Sequence, residues 1–213
     1  MKRKKSSLPL ITIGITCYNA EKTIRRVVDS ALSQDWPNYE VIVVDDGSTD
    51  NSLKILRESS NSFVKVIEHS GNFGCSHARN TIINNAKGEF IVFFDDDDVS
   101  LPQRLQLQFK CIVSHENKTN ANLIACYTSG NRIYPNDYVK PIKAVGTKGL
   151  SPVGKEMVDY LLFNKQKSTV FYGAGSPACS LMARSSVFKI IGGFDITMRR
   201  QEDIDFAIRL GMA

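Results

Sequence analysis

The first hundred residues alternate between two hydrophobic rhythms. Short apolar runs at residues 8–16 (LPLITIGIT), 40–44 (EVIVV), 64–68 (VKVIE) and 90–94 (FIVFF) have the length and the β-branched or aromatic content of buried strands. Between them, apolar residues return at intervals of three and four. After the first run, Ile24, Val27, Val28, Ala31 and Leu32 form one helical stripe, with Asn19 read as its N-cap. A short helix is expected at residues 52–58. A further helix carries Ala78, Ile82, Ile83 and Ala86 and stops at Gly88.

Strand followed by helix, three times over, predicts right-handed crossovers and an α/β fold with a mostly parallel sheet covered on both faces. Such sheets bind ligands in the crevice beyond the carboxyl ends of their strands. The polar clusters at residues 16–19, 45–50 and 95–98 all follow strands and therefore fall on that rim.

Beyond residue 100 the rhythm weakens. Pro102 suits an early helical position, and Leu105, Phe109, Ile112 and Val113 carry a stripe ending near Ser114. Polar residues 116–122 read as a loop and as the boundary between two abutting halves of a single domain, 8–115 and 116–213. Residues 121–128 resemble a strand, 130–153 a loop with irregular edge strands, and 155–163 a helix. A strand at 176–184 and a helix at 185–191, stopped by Gly192 and Gly193, follow. A last helix holds Ile204, Ala207, Ile208 and Gly211 on one side. No cap follows Ala213, so a further C-terminal segment is expected to have been lost.

Composition narrows the classes of function. The 213 residues are 42% hydrophobic and 23% charged, as in ordinary globular proteins. The net charge of +5 owes four units to Lys2, Arg3, Lys4 and Lys5. Without that leader the chain is nearly neutral, which argues against a nucleic-acid-tracking surface. Residues 1–7 are expected to be a disordered basic leader, with weak peripheral contact to anionic lipid as the alternative. Five scattered cysteines lack zinc-site or disulfide-scaffold spacing and read as cytoplasmic thiols. No apolar run nears the roughly 20 residues that span a bilayer.

The acids carry the chemistry. Asp95, Asp96, Asp97 and Asp98 follow a wholly apolar strand, and two charges about 4 Å apart repel by roughly 4 kcal/mol at an effective dielectric near 20. A divalent cation would relieve that repulsion; a solvated acidic turn is the plainer alternative. If the chain stays extended, Asp95 and Asp97 share a face while Asp96 points elsewhere. Asp45 and Asp50 suit Asx-turns. His69, His77 and His115 lack a ligand-like grouping and read as surface or packing residues.

The order Thr16-Cys17-Tyr18-Asn19-Ala20, Val44-Asp45-Asp46-Gly47-Ser48-Thr49-Asp50, Ala78-Arg79-Asn80, Asp95 to Asp98 and Glu202-Asp203 resembles the family 2 glycosyltransferases of the GT-A, Rossmann-like fold. The resemblance runs from about residue 10 to residue 210. It implies a nucleotide-diphosphate sugar, most simply a UDP-sugar, lying across the strand ends. A Mg²⁺ or Mn²⁺ ion would sit on Asp97, and the ribose contact would fall on Asp95 or Asp96. Thr16, Tyr18 and Asn19 match the base-binding loop, Asp46 a carboxylate that accepts the uracil imide proton, and Arg79 a donor-binding arginine. Asp203 matches the base of inverting members, with Glu202 raising its pKa by like-charge repulsion. The acceptor would be a hydroxyl of a glycan or lipid-linked glycan in surface polysaccharide synthesis, reached at the inner face of the membrane. A nucleotidyltransferase is the alternative enzyme, but residues 16–19 are not a glycine- and lysine-rich phosphate loop. A non-catalytic nucleotide-sugar-binding module is the alternative outside enzymes.

Overall fold

A computed structural model describes residues 8–59 and 63–213; the leader expected at residues 1–7 lies outside the described residues. The strands β1 (Ile11–Cys17), β2 (Tyr39–Asp45), β3 (Val64–Glu68) and β4 (Phe90–Phe94) alternate with helices α1 (Ile24–Leu32), α2 (Ser52–Ser59) and α3 (Cys75–Asn85). Helix α4 (Arg104–Thr119), strand β5 (Ala125–Tyr127), the β6 (Gly130–Ile133) and β7 (Val139–Ile142) hairpin and α5 (Lys155–Phe163) follow. Strand β8 (Leu181–Arg184), α6 (Ser185–Ile191) and α7 (Glu202–Met212) complete the order.

The central sheet runs β3-β2-β1-β4-β8-β5. The first four strands are mutually parallel, while β8 is antiparallel to both β4 and β5. The expectation of a mostly parallel sheet holds, with the antiparallel insertion at one side.

The period-two alternation of the strands sorts the core into two layers. Ile13, Ile15, Val43, Val92 and Phe94 face α1 and α4, packing on Val27, Val28, Leu105 and Ile112. Ile42, Val44, Ile91 and Phe93 face the opposite way, onto Ala78, Ile82, Phe188 and Phe206 from α3, α6 and α7. Gly14 lets α3 approach β1: a Cβ there would stand 2.5 Å from Ile82 Cγ2.

Three expectations need correcting. Asn19 does not cap α1, whose N-cap is Thr23. It sits at φ +51°, and its Oδ1 accepts the Thr49 N–H at 2.8 Å, tying the loop after β1 to the loop after β2. Helix α4 does not end near Ser114. It continues to Thr119, where Asn120 takes the left-handed conformation, because Glu116 holds Arg184 of β8 at 2.5 and 2.7 Å. The strand expected at 176–184 is half loop: a single 3₁₀ turn, Ala178–Ser180, precedes the short β8.

Candidate active site

The register that pairs Cys17 with Asp45 and Ile15 with Phe94 brings the ends of β1, β2 and β4 side by side. Residues 16–19, 45–50 and 95–98 therefore share one rim. Backbone N–H groups lace them together: Tyr18 donates to Asp96 Oδ2 at 2.9 Å, Asn19 to Ser48 Oγ at 2.9 Å and Ala20 to Ser52 Oγ at 2.7 Å. Asp45 and Asp50 make the expected Asx-type contacts, accepting from the N–H groups of Ser48 (3.0 Å) and Ser52 (2.9 Å). Thr16 is half-buried, and the Tyr18 side chain is exposed at the rim.

Asp46 is only 3% exposed. Its Oδ1 lies 2.7 Å from His69 Nδ1 and accepts from Phe73 N at 3.1 Å; its Oδ2 accepts from Gly74 N at 2.7 Å. Asp46 thus anchors the loop that opens α3, and Oδ2 retains acceptor capacity. His69 is a packing residue, as expected, with its Nε2 on Thr81 Oγ1 at 2.9 Å.

The strand ends at Phe94, and residues 95–98 close a turn, Asp98 N donating to Asp95 O at 3.3 Å. The alternation expected of an extended chain is lost here. Asp95 and Asp98, not Asp95 and Asp97, come together, with ligand atoms within 4.8 Å of each other and of the Cys179 thiol. Asp97 is exposed, and its backbone carbonyl accepts from Arg26 Nη2 at 2.9 Å. Burial raises the Asp96 carboxyl to about 6, against the Tyr18 N–H and with Asp97 and Asp95 adding to the rise. Burial also raises Asp98 and the Cys179 thiol. Most of the donors at this turn are hard carboxylate oxygens, which fit Mg²⁺ or Mn²⁺.

Arg79 joins this turn to the far half. The side chain is buried, with Nη2 3.0 Å from Asp95 Oδ1 and Nη1 2.5 Å from Glu202 Oε1. The next residue, Asn80, clamps the segment leading to α7: its Nδ2 donates to Phe194 O at 2.7 Å and its Oδ1 accepts from Phe194 N at 2.8 Å. Ser76 Oγ donates to Met198 O at 3.2 Å. Nothing in the hydrophobic pattern announced these ties; the only signal was the Ala78-Arg79-Asn80 motif.

Glu202 opens α7 beside Asp203. Burial works against the Glu202 charge, yet a backbone N–H and the Arg79 guanidinium hold its carboxyl below the usual range. Asp203 moves the other way, raised by burial and then by the Glu202 charge, the direction expected. Asp203 lines a cleft of about 560 Å³ together with Tyr160, Phe163, Asn164, Ser176 and Pro177. The arrangement sets an open cleft against the Asp203 carboxyl, whose neighbour Glu202 is tied through Arg79 to the acidic turn.

Residues 12–185 match the family model described as glycosyl transferase family 2. The chain belongs to that family. The matched stretch stops short of Glu202 and Asp203. Among relatives, the UDP-Glc:alpha-D-GlcNAc-diphosphoundecaprenol beta-1,3-glucosyltransferase WfgD of Escherichia coli is 31% identical over 140 residues, 62% of this chain and 55% of its own length. TarS of S. aureus, solved in complex with UDP-GlcNAc, superposes with a TM-score of 0.60 at 23% identity over 94% of this chain and 52% of its own. The mannosyltransferase PcManGT of Pyrobaculum calidifontis, in complex with GDP-Man and Mn²⁺, gives 0.64 at 18% identity over 96% and 52%. These likenesses show the fold, which is GT-A. The chain spans about half the length of the curated relatives it matches.

Proposed function

We propose that this chain transfers a sugar from a nucleotide-diphosphate donor, most simply a UDP-sugar, to a hydroxyl of a glycan or lipid-linked acceptor, with inversion. The observation that carries the reading is the buried Arg79, bonded at 3.0 Å to the acidic turn and at 2.5 Å to the residue beside Asp203. One cation thereby holds a donor-side carboxylate and the base-bearing helix at a common site. The WfgD name supports a diphosphate-lipid acceptor, and the TarS complex a uridine donor.

The base lies in the loop of Thr16, Tyr18 and Asn19, with Asp46 accepting a hydrogen bond from the uracil imide N–H, and the ribose meets Asp95 or Asp96. Asp97, with its neighbours in the turn, would hold Mg²⁺ or Mn²⁺. When bound, that cation supplies charge neutralisation for the leaving diphosphate. Arg79 acts through Asp95 and Glu202, positioning the two sides. Asp203 accepts the proton of the attacking hydroxyl at the moment it forms its bond to the anomeric carbon and the donor's carbon–oxygen bond breaks. Burial and Glu202 raise its proton affinity, which suits that task. The work would be done at the cytoplasmic face of a membrane, in building surface polysaccharide; among the described residues no helix is long and apolar enough to cross one.

The test is a thermal-shift screen of UDP-, dTDP- and GDP-sugars with and without Mn²⁺. UDP-sugars are expected to stabilise the chain only with metal, and Asp97→Ala to remove that stabilisation. Calorimetry showing UDP and Mn²⁺ binding unchanged in Asp97→Ala would remove Asp97 from the metal site. Metal-dependent binding with no turnover of any UDP-sugar would leave a binding module in place of the enzyme.

A further inference from the structure

The segment between β5 and β8 departs from the rest of the chain in both charge and surface apolarity. Residues 130–171 hold seven basic and three acidic residues, a net +4; with +4 from the leader, the remainder of the chain comes to −3. Two of those three acids, both in α5, are paired with lysines: Lys155 Nζ lies 2.6 Å from Asp159, and Lys167 pairs with Glu156. The same 42 residues supply seven of the seventeen large hydrophobic side chains exposed among the described residues. Leu150 is 66% exposed, Val153 61%, Leu162 53% and Phe163 63%.

These side chains belong to one sewn unit. Leu150 N donates to Thr169 O at 3.1 Å, Phe171 N to Leu150 O at 3.0 Å, and Glu156 pairs with Lys167, so residues 150–156 and 167–171 hold each other, while Lys165 N closes the end of α5 on Asp159 O at 3.2 Å. Lysine and apolar groups interleave across it: Lys148 Nζ stands 5.9 Å from the Phe171 centroid and Lys165 Nζ 5.4 Å from that of Phe163.

We propose that residues 148–171 form a docking surface for an anionic lipid bilayer, in which Leu150, Val153 and Phe163 enter the headgroup boundary while Lys148 and Lys165 meet lipid phosphates. Exposed apolar groups of this kind are unfavourable in water and gain by interfacial burial, and long lysine stems reach from an apolar surface to its charged edge. Residues 148–171 themselves carry four lysines against Glu156 and Asp159, a net +2, which is complementary to a negative leaflet. Three of the four large exposed apolar side chains here, Leu150, Val153 and Leu162, are aliphatic, which favours lipid over a nucleic acid, whose bases call for flat stacking faces. Leu162 and Phe163 also line the Asp203 cleft. Docking therefore turns the cleft mouth toward the bilayer, which on the proposed function would present a lipid-linked acceptor; the docking itself does not need that function.

The experiment is co-sedimentation of the whole chain with phosphatidylglycerol-rich or pure phosphatidylcholine vesicles, at low and high NaCl. Binding is expected on the anionic vesicles, weakened by salt. Each lysine near the headgroups contributes about fivefold to partitioning, so Lys148→Glu with Lys165→Glu is expected to lower it by at least about 25-fold. Leu150→Ser with Val153→Ser is expected to lower it as well. Circular dichroism and thermal midpoint check that these exposed replacements leave the fold intact. Hydrogen exchange of the unaltered chain is expected to show vesicle protection concentrated at residues 148–171. Binding that survives both pairs and disappears on changing Lys2, Arg3, Lys4 and Lys5 to Gln overturns the proposal. So does protection elsewhere, equal binding to phosphatidylcholine, or no binding at all. UDP stabilisation of the same variants keeps a failure here separate from a failure of the donor site.

Discussion

Up to Thr119 strands and helices alternate one for one: α1 and α2 join sheet neighbours, α3 carries the chain from β3 across to β4 beside β1, and polar residues at the strand ends are hydrogen-bonded to one another. Beyond Asn120 the chain reaches its partners over long detours. Strand β8 enters between β4 and β5, which lie 94 and 54 residues before it at the pairs Arg184 with Phe90 and Leu181 with Tyr127. The comparison separates a first half built mainly from local crossovers from a second half joined to it by the β4–β8 ladder, a shared apolar layer and buried polar contacts such as those of Arg79. On the proposed function, the first half fixes the leaving group and the second brings the base and acceptor, and the buried polar ties between them align the two.

The sharpest way to test that division is to change chemistry on one side only. Asp203→Asn keeps shape and hydrogen bonding but removes the proton acceptor, and transfer is expected to fall by about 10²- to 10⁴-fold. UDP-dependent thermal stabilisation should be unaltered, because the donor loops lie in the other half. Near-normal transfer by this variant, measured as UDP release, would take the base role from Asp203.

Next in size is the link between the halves. Arg79→Leu leaves Glu202 facing an apolar group in a buried site and Asp95 without its cation, and removing one member of a buried pair typically costs about 3–5 kcal/mol. For a chain of this length that corresponds to a melting midpoint lower by roughly 10 °C. A loss below about 1 kcal/mol in denaturant titration would mean that the halves are held together elsewhere. Gln108→Ala is expected to cost less, about 2 kcal/mol, by leaving the Cys126 and Ser180 carbonyls without the Nε2 donor that now reaches them at 2.7 and 2.9 Å. Its effect should fall on the second half, seen as faster hydrogen exchange in β5 and β8 with β1 and β2 unaffected.

The same division explains what could be read from the residues. Hydrophobic periodicity located every strand and helix of the first half, because each apolar stripe there packs on an adjacent element, as Val27 and Val28 do on Ile13 and Ile15. It misread Asn19, since an N-cap and a loop tie use the same side chain and differ only in which N–H is near. It ended α4 too early because Glu116 is polar by composition yet held in the helix by Arg184, more than sixty residues away. Arg104 and Gln108 were hidden for a related reason. Both lie on the buried side of α4, where Arg104 donates to the Phe93 carbonyl at 3.0 Å and to Gln108 Oε1 at 3.0 Å, and a pattern of apolar residues is silent about buried polar ones. At the candidate site the residue types were legible, but the turn at 95–98 that brings Asp95 to Asp98, and the two ends of Arg79, needed coordinates.

The smallest expected effect is a displaced pH profile, and it separates the two halves most finely. A general base works only when ionised, so on the proposed mechanism the transfer rate falls as pH drops through the Asp203 pKa, which burial and the Glu202 charge raise. Glu202→Gln removes that negative neighbour and frees the Arg79 guanidinium, which itself lowers the Asp203 pKa. Both changes act in the same direction, and the acid limb of kcat should move to lower pH with the plateau nearly unchanged. The competing source of such a limb is Asp96, raised to about 6 on the donor side by burial, Asp97 and Asp95. A limb belonging to Asp96 would stay in place in Glu202→Gln and vanish in Asp96→Asn, so measuring the profile in both variants assigns the titration to one half or the other. A limb that moves upward in Glu202→Gln would contradict the charge arrangement around Asp203 itself.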